Sequence, residues 1–124
     1  MLDLHLMDAE RHSELYRELQ ATIRGDVLFD EMTCLLYSTD ASLYQIKPIG
    51  VVLPRDRTDV IQTVRLAARF SVPILPRGGG TSLAGQTVTS GLVIDFSKYM
   101  NQVVEINEEE RWVRVQPGII LDPV

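Results

Sequence analysis

Apolar residues along this chain fall into two rhythms, one spaced for helices and one for strands. From about Asp8 to Arg24, Leu15, Leu19 and Ile23 recur at every fourth position among charged neighbours. That spacing predicts an amphipathic helix that stops near Gly25 and packs on the outside of a domain. Residues 26–47 mix Asp, Ser, Thr and aromatics without a sustained period and read as irregular connection. Within it, Cys34 to Tyr37 fits either a short helix or an extended segment.

The pattern then tightens. Prolines 48 and 54 frame Ile49, Val51, Val52 and Leu53, a β-branched run expected to be a buried strand. A helix follows, with Asp56 or Thr58 as its cap and Val60, Ile61, Val64, Ala67 and Ala68 as one apolar stripe reaching Phe70. Val72 to Leu75 restarts as a strand. Strand, helix and strand in that order predict a βαβ unit with two parallel strands. Leu92 to Phe96 reads as another buried strand. Val103 to Ile106 and Trp112 to Val115 read as a hairpin joined by the acidic turn Asn107 to Glu110. The expected fold class is therefore α/β with α+β character, its mixed sheet containing a βαβ unit and the mixing assigned to that hairpin.

Length and composition bound the reading. At 124 residues and 45% hydrophobic, the chain holds one domain or part of one. Ending at Leu121–Val124 just after a strand and the Pro117-Gly118 turn, it reads as cut within a domain. A formal charge of -5 gives no general field for nucleic acid, so any bound anion must be held by local geometry. Cys34 is the single cysteine, and neither it nor His5 and His12 offers zinc-type spacing, so no metal is assigned. The acidic start at Asp3, Asp8 and Glu10 and the lack of a long apolar run point to a cytoplasmic protein.

The chemistry concentrates between Pro76 and Thr87, where Gly78, Gly79, Gly80 and Gly85 stand with Thr81, Ser82 and Arg77 directly after a parallel strand. Ligands of open α/β sheets gather at the carboxyl ends of strands. Residues without Cβ also let successive backbone N–H groups converge on one anion. The stretch is expected to be a phosphate cradle. Arg77 either compensates phosphate charge or pairs with Asp95 or another carboxylate. A P-loop is excluded because no lysine follows the glycines. The dinucleotide fingerprint of the Rossmann type fails because Leu83 stands at its third glycine and a strand follows where a helix should start.

Taken with Gly91-Leu92-Val93-Ile94-Asp95-Phe96-Ser97, Met100-Asn101 and Val113-Arg114-Val115-Gln116-Pro117-Gly118, the glycine loop resembles the FAD-linked oxidase family of the vanillyl-alcohol oxidase type. Within that family the likeness is to D-2-hydroxyacid dehydrogenases acting on D-lactate, glycolate or D-2-hydroxyglutarate. Tyr37-Ser38-Thr39-Asp40-Ala41-Ser42-Leu43-Tyr44 resembles the large members that fuse the flavin domain to an iron–sulfur domain.

The resemblance implies that residues 48–124 are the first half of a PCMH-type FAD-binding domain, with residues 1–47 preceding it. It implies that Pro76, Arg77, Gly78, Gly79, Gly80, Thr81, Ser82, Gly85 and Gln86 line the FAD pyrophosphate and ribose, and that Gly118 approaches the cofactor from a later strand end. Some relatives tether flavin through a histidine in this loop. Thr81 stands in that region here, so non-covalent FAD is implied. The parent would oxidise a small D-2-hydroxy acid by hydride transfer to FAD, with its cap, catalytic residues and any iron–sulfur cluster downstream. Ser97, Tyr99 and Asn101 are read as capping a turn. An exposed sheet edge leaves homo-oligomer formation open.

Overall fold

A computed structural model describes residues 4–38, 46–80 and 90–120. Helix α1 spans Leu4–Thr22. It is followed by strand β1 (Asp26–Leu28) and helix α2 (Glu31–Leu36), two short elements within the segment expected to be irregular. Each has a local cause that hydrophobic periodicity does not carry. Asp30 caps α2 by accepting from the Thr33 amide at 3.0 Å, and β1 exists because it pairs with a strand more than twenty residues away.

Strand β2 (Gly50–Leu53), helix α3 (Arg57–Arg69), strand β3 (Ile74–Arg77) and strand β4 (Leu92–Asp95) follow. The four strands form one sheet in the order β1-β2-β4-β3. The βαβ unit is present, with one refinement. Strand β4 lies between β2 and β3 and is parallel to both. The central pair β2 and β4 is buried along its whole length, whereas β3 at the edge alternates between exposed and half-buried positions.

Strand β3 begins two residues later than expected and runs to Arg77. Val72 is spent closing α3, its amide donating to Ala67 O at 2.8 Å, and Ser71 takes a positive φ of 55°. The shift brings the glycine tract directly onto the strand end.

The sheet is mixed, but because of β1, which pairs antiparallel with β2. The hairpin expected to supply the mixing, β5 (Val103–Asn107) with β6 (Trp112–Val115), forms a separate two-stranded antiparallel sheet.

Apolar side chains cover both faces of the four-stranded sheet. On one, Leu15, Leu19 and Ile23 from the α1 region meet Val52, Leu92 and Leu66 and Ala67 of α3. On the other, Val51, Leu53 and Val93 pack with Leu28, Tyr37 and Tyr99. Each buried Leu or Val contributes roughly 1.5–3 kcal/mol of transfer free energy.

The face α3 turns inward departs from the expected stripe. It buries Asp59, Thr63, Leu66 and Ala67, while Ile61 and Val64 are each 40% exposed. Two polar residues on the inner face displace the apparent stripe, and both are satisfied. The Thr63 hydroxyl donates to Asp59 O at 2.7 Å. The Asp59 carboxylate accepts from the amides of Arg24 (2.9 Å), Gly25 (2.8 Å) and Arg55 (3.0 Å). Asp56, not Thr58, is the helix cap, accepting from the Asp59 amide at 2.9 Å.

Candidate functional site

Because β2, β3 and β4 are parallel, their carboxyl ends, Leu53, Arg77 and Asp95, lie along one edge of the sheet. This is the edge at which open α/β sheets collect ligands. The chain leaves β3 here as Gly78-Gly79-Gly80. Gly80 adopts φ +71°, and a Cβ on it would lie 2.6 Å from Arg77 Nη2, so the tract folds back over the guanidinium. Among the described residues, the amides of Gly78, Gly79 and Gly80 donate no hydrogen bond. Three such donors in a row suit an anionic ligand whose oxygens replace water.

Asp95, the Cα partner of Arg77 across the β3–β4 ladder, is buried. Its carboxylate accepts from the Tyr37 hydroxyl at 2.5 Å, the Ser97 amide at 2.9 Å and the Ser97 hydroxyl at 2.7 Å. Arg77 instead lies over the Tyr37 ring, with Cζ 4.9 Å from the ring centroid. Burial, reinforced by the bond to the Asp95 carboxylate, pushes the Tyr37 phenol far above its ordinary value. Tyr37 is therefore a neutral donor at every physiological pH.

After β4 the chain turns sharply. Asn101 Nδ2 donates to Ser97 O at 2.8 Å, and the Met100 amide donates to Phe96 O at 3.0 Å. Ser97 and Asn101 thus cap the turn, as their sequence context suggests. Tyr99 does something else, donating to Asp26 Oδ2 at 2.9 Å and tying the turn to β1.

Gly118 lies against this turn. A Cβ there would sit 2.2 Å from Phe96 O and 2.8 Å from the Ser97 amide nitrogen. The Gly118 amide donates to Met100 O at 2.9 Å. Gly118 therefore packs its backbone on the turn, with its N–H already committed, and borders the neighbouring space.

That space is a cavity of about 480 Å³ between the glycine tract and the β5–β6 hairpin. Its lining combines Gly79, Ser97, Asn101 and Gly118 with the apolar Val103, Ile106, Val113 and Ile120. A ligand that carries both a charged group and a flat apolar body matches this mixed lining. The residues present fit a dinucleotide with a diphosphate: the amides of the glycine tract, which reaches the cavity at Gly79, can meet phosphate oxygens, and the apolar lining can meet a flat ring system.

The structure brings together Pro76, Arg77, Gly78, Gly79, Gly80 and Gly118. Thr81, Ser82, Gly85 and Gln86 lie outside the described residues, as do Thr39 to Tyr44. Tyr37 and the apolar hairpin residues were not singled out as site residues by sequence. An aromatic beside a polar run and an outward hairpin face carry no signal until the sheet places them.

Among the described residues no group of three or more His, Cys, Asp or Glu is arranged to hold a metal ion. No helix there is long and apolar enough to cross a membrane.

Residues 48–124 match the FAD binding domain family. The chain is 46% identical over 106 residues to the D-2-hydroxyglutarate dehydrogenase of Escherichia coli K12, an alignment covering 83% of this chain and 10% of that protein. It is 39% identical over 109 residues to the glycolate oxidase subunit GlcD of Bacillus subtilis, covering 84% of this chain and 23% of that subunit. Among solved structures, the 4-ethylphenol oxidase of Gulosibacter chungangensis superposes with a TM-score of 0.78 at 29% identity, covering 90% of this chain and 23% of that one. The chain thus spans about a tenth of the dehydrogenase it matches.

Proposed function

The chain belongs to the FAD binding domain family, and on that premise we propose that it forms the diphosphate-holding part of a flavin-dependent oxidoreductase acting on a D-2-hydroxy acid. One observation carries the reading: three consecutive glycine amides without partners among the described residues stand at the carboxyl end of a parallel strand, and Gly79 shares its cavity with Gly118. Gly78, Gly79 and Gly80 donate to the diphosphate oxygens. Arg77 balances charge, and Gly118, packed on Phe96, holds the turn that borders the cavity. Pro76 fixes the direction in which the tract leaves β3. Thr81, Ser82, Gly85 and Gln86 complete the cradle through hydroxyl, backbone and amide groups.

When bound, FAD supplies the acceptor for the hydride removed from the hydroxy acid. This chain's contribution is to bind and orient; the groups that handle substrate belong to other parts of the protein. The 46% identity to a D-2-hydroxyglutarate dehydrogenase supports a 2-hydroxy-dicarboxylate or a close analogue as substrate. Thr81, standing where some relatives carry a histidine, supports non-covalent attachment. Residues 48–124 act as the first half of the FAD-binding domain in a cytoplasmic protein, residues 1–47 precede it, and an iron–sulfur domain passes the electrons on. Edge strand β3 offers a surface for pairing between copies, which a size measurement tests.

Purification of the full-length protein containing this chain tests the reading. It should retain yellow flavin after desalting and release it as free FAD on denaturation. A colourless protein that takes up no added FAD would exclude a flavin role. Colour that stays with the denatured polypeptide would exclude non-covalent attachment.

A further inference from the structure

Strand β1 runs antiparallel to β2, so its first residue, Asp26, is the Cα partner of Leu53 at the carboxyl end of β2. A carboxylate is thereby brought to the edge of the sheet where open α/β folds collect ligands. There it meets the turn that follows β4. Asp26 Oδ2 accepts from Lys98 Nζ at 2.9 Å and from the Tyr99 hydroxyl at 2.9 Å. Arg55, two residues past the end of β2, places its Cζ 4.7 Å from the centroid of the Tyr99 ring. The Lys98 hydrogen bond foremost, against the opposing effect of burial, holds the Asp26 carboxyl below its ordinary value, so the acceptor stays ionised through neutral pH.

Lys98 and Tyr99 lie between two residues of the cavity wall, Ser97 and Asn101. The turn makes one unit of them, because Asn101 Nδ2 donates to Ser97 O at 2.8 Å. Its ends are fixed by Asp95, which accepts from the Ser97 amide, and by the Met100 carbonyl, which accepts from Gly118. Its middle is held from β1 by Asp26. We propose that Asp26 is a positioning residue for the cofactor: by accepting from Lys98 and Tyr99 together it sets the turn and, through it, the places of Ser97 and Asn101 in the cavity wall. The inference rests on the reading that this cavity takes FAD. Asp26 does not line the cavity; it acts through the turn. It also precedes residues 48–124, the stretch that matches the FAD binding domain family, so a residue outside that stretch shapes the site. This gives the three-residue strand β1 a use, which is to carry one carboxylate to the ligand edge.

A mutant cycle in the full-length protein separates positioning from stability. Dissociation constants for FAD, the visible circular dichroism of the bound flavin and thermal midpoints of the apoprotein are measured for wild type, Asp26→Ala, Tyr99→Phe and the double variant. Asp26→Ala releases Lys98 and Tyr99 together, so FAD binds about ten-fold more weakly and the flavin dichroism bands change. Tyr99→Phe keeps the ring beside Arg55 and loses one of the two bonds, so binding weakens about three-fold. Because both changes act through one contact, the double variant binds no more than about two-fold more weakly than Asp26→Ala.

An ordinary structural contact predicts a lower thermal midpoint for Asp26→Ala with FAD affinity and flavin dichroism as in wild type; that result overturns the proposal. So does a double variant whose losses add in full, which would place the effect of Tyr99 outside its bond to Asp26. Should Asp26→Ala fail to fold, Tyr99→Phe decides alone: weaker binding with altered flavin bands supports the role, and wild-type values in both contradict it. Wild-type protein that neither retains nor takes up FAD would defeat the flavin reading itself, a result distinct from all of these.

Discussion

The Tyr37 hydroxyl donates a 2.5 Å hydrogen bond to the Asp95 carboxylate, joining the end of α2 to the end of β4 across 58 residues of sequence. Burial comes first and the hydrogen bond second in holding the Tyr37 proton. A phenol that binds its proton more tightly in the native state leaves stability intact below its unfolded value of about 10, and stability falls as pH rises beyond that. Denaturant midpoints measured across the alkaline range should therefore drop from about pH 10 upward, and less steeply in Tyr37→Phe. In ultraviolet titration one of the four tyrosines should ionise only as the protein unfolds, and that late component should vanish in Tyr37→Phe.

Gly118 has no room for a side chain. Its Cβ would lie 2.2 Å from a backbone oxygen that cannot rotate away. Gly118→Ala should cost about 1–3 kcal/mol in urea denaturation, because the Pro117-Gly118 turn must lift off Phe96. FAD affinity should fall as well, since that displacement opens the wall of the cavity.

Asp59 holds together three stretches of chain through the amides of Arg24, Gly25 and Arg55. Replacing it with Ala leaves those donors without an acceptor, at about 1–3 kcal/mol for each one that stays buried. Asp59→Ala should lower stability by about 1–3 kcal/mol, and Asp59→Asn by less, because one oxygen can still accept. Equal losses in the two variants would show that a single remaining oxygen cannot substitute for the carboxylate.

Gly80 tests the loop more gently. Ala at φ +71° costs roughly 1–2 kcal/mol, and its methyl would press on a movable guanidinium, not on backbone. Gly80→Ala should melt a few degrees lower and bind FAD about ten-fold more weakly, as read by equilibrium titration. A full-affinity variant would mean that Arg77 and the turn at Gly80 do not set the ligand geometry.

Much of this architecture was legible in the sequence because it is written locally. Leu15, Leu19 and Ile23 mark one face of α1, Val51 to Leu53 a buried strand, and the glycines after Arg77 a tract leaving the carboxyl end of a parallel strand. What escaped depends on distant partners. Strand β1 is three residues long and exists through its pairing with β2. The inner face of α3 was misjudged because Asp59 and Thr63 are buried with their polar groups satisfied, which an apolar stripe cannot reveal. The hairpin's separation from the main sheet and the insertion of β4 between β2 and β3 are likewise matters of long-range pairing. Tyr37 gained its role only when α2 carried it over Asp95.

The central claim, that backbone amides of the glycine tract grip a diphosphate, is tested most directly by following isotope-labelled glycine amide resonances in the full-length apoprotein. Titration with FAD and with ADP should shift the resonances of Gly78, Gly79 and Gly80 together, while riboflavin, which lacks phosphate, should leave them in place. Saturating FAD binding with those three resonances unmoved would contradict the account.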